Sequence, residues 1–68
     1  MDESLIGKKV SFRLAYNEWY EGNVIGEYKR DITVKITSGW SPNESLADKV
    51  ASKVGSTVTI NHVEKILQ

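Results

Sequence analysis

The chain has no cysteine, a single histidine and no surplus of either charge, since nine lysines and arginines balance nine aspartates and glutamates over 68 residues. Without cysteine there is neither a disulfide framework nor a thiolate metal site, and His62 without a second histidine cannot make a zinc centre. A reducing, cytoplasmic setting with no metal and no cofactor is the expectation. No apolar run approaches the ~20 residues that a membrane-spanning helix needs. The Met1-Asp2-Glu3-Ser4 start is acidic, so a secretory signal is not expected either. Neutral net charge also bears on partners. Nucleic-acid binding rests on neutralising phosphates, so a neutral chain must gather its cations on one face to use it. Lys8, Lys9 and Arg13 lie near the start and Lys29 and Arg30 further on, but Glu18, Glu21 and Glu27 are interleaved with them.

At this length one domain spanning residues 1–68 is expected, and such a chain buries only about 60% of the surface its unfolded form exposes. What the chain does have is β patterning. In Lys9-Val10-Ser11-Phe12-Arg13-Leu14 the apolar residues Val10, Phe12 and Leu14 alternate with polar ones, which predicts a strand with one buried face. After the polar Ala15-Tyr16-Asn17-Glu18 interruption, a second arm runs from Trp19 to Tyr28. It carries Tyr20, Gly22, Val24, Gly26 and Tyr28 on one face and Trp19 and Ile25 on the other. The two glycines mark a place where a long strand bends or bulges. A Lys29-Arg30-Asp31 turn leads into a third strand with Ile32, Val34 and Ile36 inward and Thr33, Lys35 and Thr37 outward.

After Ser38-Gly39-Trp40-Ser41-Pro42 the period changes. Leu46, Val50 and Val54 recur every fourth residue with Ala47 and Ala51 beside them, one amphipathic stripe that predicts a helix over about 44–54. Asn43 or Ser41 is placed to cap its start, Lys49 and Lys53 lie late, and Gly55 stands where a left-handed C-terminal glycine belongs. Leu46 and Val50 are expected to be buried. Thr57–Ile60 and Val63–Leu67 then read as two short strands joined by a tight Asn61-His62 turn, of the kind that forms a single 3₁₀ turn.

Five short strands with a long bent second one predict a mainly β fold, a small five-stranded SH3-like barrel with one short helix inserted before the last two strands. The expected core is Val10, Phe12, Val24, Ile32, Val34, Ile36, Val58, Ile60 and Ile66. An OB-fold also carries a helix between its third and fourth strands, but the short tail after the helix argues against it.

The segments Ile6-Gly7-Lys8-Lys9-Val10-Ser11-Phe12, Glu21-Gly22-Asn23-Val24-Ile25, Asp31-Ile32-Thr33-Val34-Lys35-Ile36 and Thr57–Ile66 resemble the small KOW- and Tudor-like SH3 barrels found as short stand-alone proteins in Gram-positive bacteria and their phages, a DUF2187-type group among them. The resemblance covers the strands and not the segment from Trp40 to Lys53. It implies a binding module for nucleic acid or for proteins of transcription and translation, with no enzymatic activity.

No catalytic constellation accompanies the strands. His62 stands in a turn without a Ser, Cys or paired carboxylate at a useful spacing, and Glu18 and Glu21 fall on opposite strand faces. Gly22 and Gly26 belong to a strand, with no Lys-Ser/Thr after them to make a phosphate loop. The candidate binding residues are therefore Tyr16, Trp19, Tyr28, Lys29, Arg30 and Trp40, aromatics and cations near the loops of a barrel too small to bury them all. The alternative is that Trp19 and Trp40 cover the barrel ends, with Trp40 under the helix, while Tyr20 and Tyr28 pack across the hairpin. Two functions follow. A protein-interaction adaptor or inhibitor is favoured, because the interleaved glutamates would repel phosphates. A nucleic-acid-binding module is the other, with Lys8, Lys9, Arg13, Lys29, Arg30 and Lys35 on phosphates and Trp19 or Tyr28 stacked on bases.

Overall fold

The computed structural model describes residues 4–67, so the acidic Met1–Glu3 lies outside it. Its elements are β1 (Lys9–Ala15), β2 (Glu18–Tyr28), β3 (Asp31–Trp40), a 3₁₀ turn (Glu44–Leu46), α1 (Ala47–Ser52), β4 (Thr57–Ile60) and β5 (Lys65–Ile66). All strand pairs are antiparallel, in the order β4-β3-β2-β1-β5. That order, with the last strand returning beside the first and the helical segment between β3 and β4, is the mainly β, SH3-like arrangement expected.

Three bulges shape it. In β3, Thr37 is extra opposite the Glu21–Gly22 step; in β2, Ile25 is extra opposite Val34–Thr33; in β1, Leu14 is extra between Arg13 and Ala15. A bulge shifts side-chain parity by one, so each moves the residues beyond it to the other face. Two expectations fail for this reason. Leu14 is 37% exposed instead of inward, and Tyr28 no longer shares the face of Tyr20 and Val24 but is exposed. The glycines sit at these irregularities, and they differ. A Cβ on Gly22 would overlap the Lys35 carbonyl oxygen and stand 2.6 Å from Val34 Cγ1, whereas one on Gly26 would meet nothing closer than 3.8 Å. Gly22 is the point where β2 and β3 backbones approach too closely for any side chain.

The core consists of Val10, Phe12, Tyr20, Val24, Ile32, Val34, Ile36, Val50 and Ile60, with Val58 only partly buried against it. Ile66 is a correction: β5 has two residues, pairs with β1 alone at the sheet edge, and leaves Ile66 exposed. Tyr20 is a core residue and does not pack across the hairpin surface. Its ring stacks on cross-strand Phe12 with centroids 5.8 Å apart. Between β4 and β5 the chain bends at Asn61 and Glu64 without the expected 3₁₀ turn.

The helical stripe is built in two pieces, the 3₁₀ turn and the six-residue α1. Asn43 caps the first, its side-chain oxygen accepting from the Ser45 N–H at 3.0 Å, and Gly55 adopts φ of +93° as its position required. Val50 is buried, but Leu46 is only half-buried because the 3₁₀ turn rotates it off the stripe. Two backbone hydrogen bonds, Ile36 N–H to Ser56 and Gly55 N–H to Ile36, close the β3–β4 hairpin at its base. Residues 37–54 are thus an excursion from a closed hairpin, going out along β2 and returning through α1.

Candidate functional site

Alternation on β1, β2 and β3 places a second set of side chains on the outer face of the sheet. Register groups them into rows. Arg13 lies opposite Trp19, which lies opposite Trp40; Lys65 lies opposite Ser11, then Glu21, then Ser38; Lys9 lies opposite Asn23, then Lys35. Their strand neighbours Val10, Phe12, Tyr20, Val24, Val34 and Ile36 are buried, which fixes Lys9, Ser11, Arg13, Trp19, Glu21, Asn23 and Lys35 as outward, and Ser38, Trp40 and Lys65 lie opposite them in the same rows.

An open cleft of about 520 Å³ crosses this face, lined by Trp19, Glu21, Ser38, Trp40, Lys65 and Leu67 among others. Trp40 is 61% exposed there, so it does not lie under the helix; α1 packs on the inner face instead. The Arg13 guanidinium sits 5.0 Å from the Trp19 ring centroid and covers part of that ring, which leaves Trp40 as the open aromatic surface. Lys9 Nζ is 3.9 Å from a Glu21 carboxylate oxygen, a weak surface pair.

The six candidate residues do not form one surface. Trp19 and Trp40 come together in the cleft. Tyr28, Lys29 and Arg30 stand at the other end of β2, on the β2–β3 turn, where Lys29 (φ 57°) holds its ammonium 5.4 Å over the Tyr28 ring. Tyr16 is 82% exposed on the β1–β2 turn. Of the basic residues considered for phosphates, Lys9, Arg13 and Lys35 share the outer face, and Lys65 joins them through β5. Lys65 was not legible as a site residue, because only the long-range pairing of β5 with β1 brings it there.

The glutamates part company. Glu18 faces inward and is buried, its carboxylate accepting from the Tyr20 hydroxyl at 2.9 Å and paired with Lys49 Nζ of α1 at 3.1 Å. The Lys49 ammonium, then the Tyr20 hydroxyl, hold the Glu18 carboxyl below the usual carboxylate range against the opposing effect of burial. Burial and the neighbouring carboxylate push the Tyr20 hydroxyl up to about 12. Glu27 accepts from the Ser4 hydroxyl and, at 3.2 Å, from the Leu5 N–H. Only Glu21 of the three lies in the cleft.

A second, shallower hollow lies between Arg13, Leu14, Asp31, Ile60 and His62. His62 is exposed there, with Nδ1 3.4 Å from the Asn61 side-chain oxygen. Among the described residues no group of His, Asp or Glu is arranged to hold a metal ion, and no helix is long and apolar enough to cross a membrane. Comparison of the chain with protein-family models, with curated proteins and with solved structures gives no match to any of them.

Proposed function

We propose that the chain is a non-enzymatic binding module that takes single-stranded nucleic acid across the outer face of β1, β2 and β3. The observation that carries the reading is charge placement. Four of the nine basic residues share the outer face with the Trp19–Trp40 pair, Arg13 in its row, Lys65 in the next and Lys9 and Lys35 in the one beyond, with Glu21 as the one carboxylate among the site rows. A neutral chain gathers cations on one face in this way, and the glutamates that would repel phosphates are engaged elsewhere, Glu18 inside and Glu27 on the N-terminal segment. Single-stranded nucleic acid supplies phosphates for the cations and flat bases for Trp40 in one polymer, which accounts for both features together. Ser11 and Ser38 add hydroxyls between the rows.

The second reading is a protein partner, as an adaptor or inhibitor would have. It is favoured by Glu21 at the centre of the middle row and by Leu67 beside Trp40, which give the cleft a mixed charge and an apolar lip. A titration of intrinsic tryptophan fluorescence with a dodecamer of oligodeoxythymidylate, repeated over a salt series, separates the two. For nucleic acid, quenching is expected, with affinity falling as salt rises and the salt slope reduced by ~0.7 for each phosphate that Lys9→Ala or Lys35→Ala leaves unneutralised. Trp40→Ala removes a stacking interaction worth about 1–3 kcal/mol. No quenching at low salt by DNA or by the matching RNA removes the nucleic-acid reading. Nuclease-resistant capture of a defined protein, abolished by Trp40→Ala, would then establish the other.

A further inference from the structure

The residues that hold the excursion to the barrel are the chain neighbours of the two site tryptophans. Glu18 precedes Trp19, and Gly39 precedes Trp40. On the inner face, Glu18 reaches Lys49 of α1, while Val50 Cγ1 occupies the space that a side chain on Gly39 would fill. On the outer face of the same strand ends stand Trp19 and Trp40, opposite one another as the last register pair of the β2–β3 ladder. Because the strand alternates, one pair of backbones carries both the inner clasp and the outer site.

A buried carboxylate at position 18 needs a reason. The inward positions of β2 around it, Tyr20, Gly22 and Val24, fill the core, and an apolar residue at 18 would do the same without the desolvation cost of a buried charge. What the carboxylate adds is a directional bond to one point on α1. The bond selects a single docked position for a helix of only six residues, whose one buried residue is Val50. We propose that Glu18 and Lys49 are positioning residues for the outer-face site, a clasp whose closure keeps Trp40 paired against Trp19 and whose release frays the ladder end and splits the tryptophan pair.

Release follows protonation of Glu18. The groups that face it are Tyr20 on its own strand and Lys49 and Lys53 from the excursion; from β1 its register neighbour is Ala15, which carries no charge. Both lysines favour the ionised carboxylate, and the Tyr20 hydroxyl donates to it. Protonation therefore removes an ion pair while leaving Val50 as the remaining anchor. The clasp rests on the outer-face reading for its biological use, but its test needs no ligand.

The chain has two tryptophans, so the indole N–H region of a ¹⁵N-correlated NMR spectrum holds two signals that report the site directly. On acidification both are expected to shift. Relative to the intrinsic exchange rate at each pH, which itself slows in acid, the protection of the amides of residues 38–40 is expected to fall by about tenfold or more, the effect of losing one charge-assisted hydrogen bond, before residues 32–36 or 57–60 lose protection. Glu18→Gln should show the acid-like signals at neutral pH and lose most of the pH step. Glu18→Asp should recover part of the step. Lys49→Met, which alters only the more exposed partner, should reproduce the neutral-pH shift even where Glu18→Gln does not fold. Indole signals and exchange in Lys49→Met identical to those of the parent chain overturn the proposal. So does simultaneous loss of protection at residues 38–40, 32–36 and 57–60, since Glu18 would then serve only global stability. If the indoles respond as expected but oligonucleotide does not bind, the clasp stands and the nucleic-acid reading falls.

Discussion

Residues 32–36 and residues 37–54 are adjacent stretches of one chain, yet they are held by different means. The first is paired on both sides, by β2 and β4, and buries Ile32, Val34 and Ile36 in register with Val24, Gly22 and Ile60. The second leaves β4 at the Thr37 bulge, is paired on one side only, and is tied down by Val50 and a Lys49–Glu18 ion pair. Scaffold and adjustable part are thus separated by a single extra residue. Burial of interlocked aliphatics makes the first stretch rise or fall with the whole fold, whereas a few discrete attachments let the second open locally.

The strongest way to break the scaffold side is Gly22→Val. Its Cβ would collide with the Lys35 carbonyl, a backbone atom that cannot move without disrupting the β2–β3 ladder, so a loss of about 3 kcal/mol is expected. Gly26→Val has room and should be close to neutral, its β propensity offsetting what strain there is. Urea melts of the two variants decide it, and equal stabilities would show that the close approach at Gly22 is not what shapes the barrel.

Cavity variants sharpen the comparison next. Val34→Ala, inside the two-sided ladder, should cost ~2–3 kcal/mol and lower protection throughout. Val50→Ala should cost ~2 kcal/mol, read chiefly as faster exchange in 37–54. Leu46→Ala, at a half-buried position, should fall below ~1 kcal/mol. Uniform exchange changes in Val34→Ala and Val50→Ala alike would erase the distinction between the two stretches.

The smallest effects are those of pH, and they have opposite signs at the two ends of the scale. Glu18 has its folded pKa depressed, so its stabilisation is present above the unfolded value of 4.5 and is lost as pH falls through the lower folded value. Tyr20 has its folded pKa raised from 10.0 to about 12, so its stabilisation is complete below pH 10 and is lost as pH climbs from there toward 12. Thermal melts of Glu18→Gln should lose the acid step and those of Tyr20→Phe the alkaline one. Persistence of either step in its variant would assign it to another group.

Much of the architecture was legible in the chain because local periodicity encodes it. The alternations at Val10 and Phe12 and at Ile32, Val34 and Ile36, the switch to a fourfold stripe at Leu46 and Val50, and the extent of β4 are each set by side-chain spacing over a few residues. Gly22 and Gly26 announced irregularity in the same local way. The residue types of the candidate site were visible too, since Trp19 and Trp40 are large aromatics next to turns.

Which of these residues meet was decided by tertiary structure alone. Single extra residues at Leu14, Ile25 and Thr37 changed the faces, exposing Leu14 and Tyr28 and sending Trp40 to the outer face, and although Gly22 and Gly26 mark where β2 is irregular, the local pattern does not say which residue is extra or on which strand. The pairing of β5 with β1 brought Lys65 beside Ser11 across most of the chain, and docking of α1 turned Glu18 from an interleaved surface charge into an inner clasp. Periodicity along the chain determines which side of an element is apolar, because that depends on neighbours a few residues away. The juxtaposition of charges and aromatics depends on register between distant strands, and that is settled only when the whole core closes.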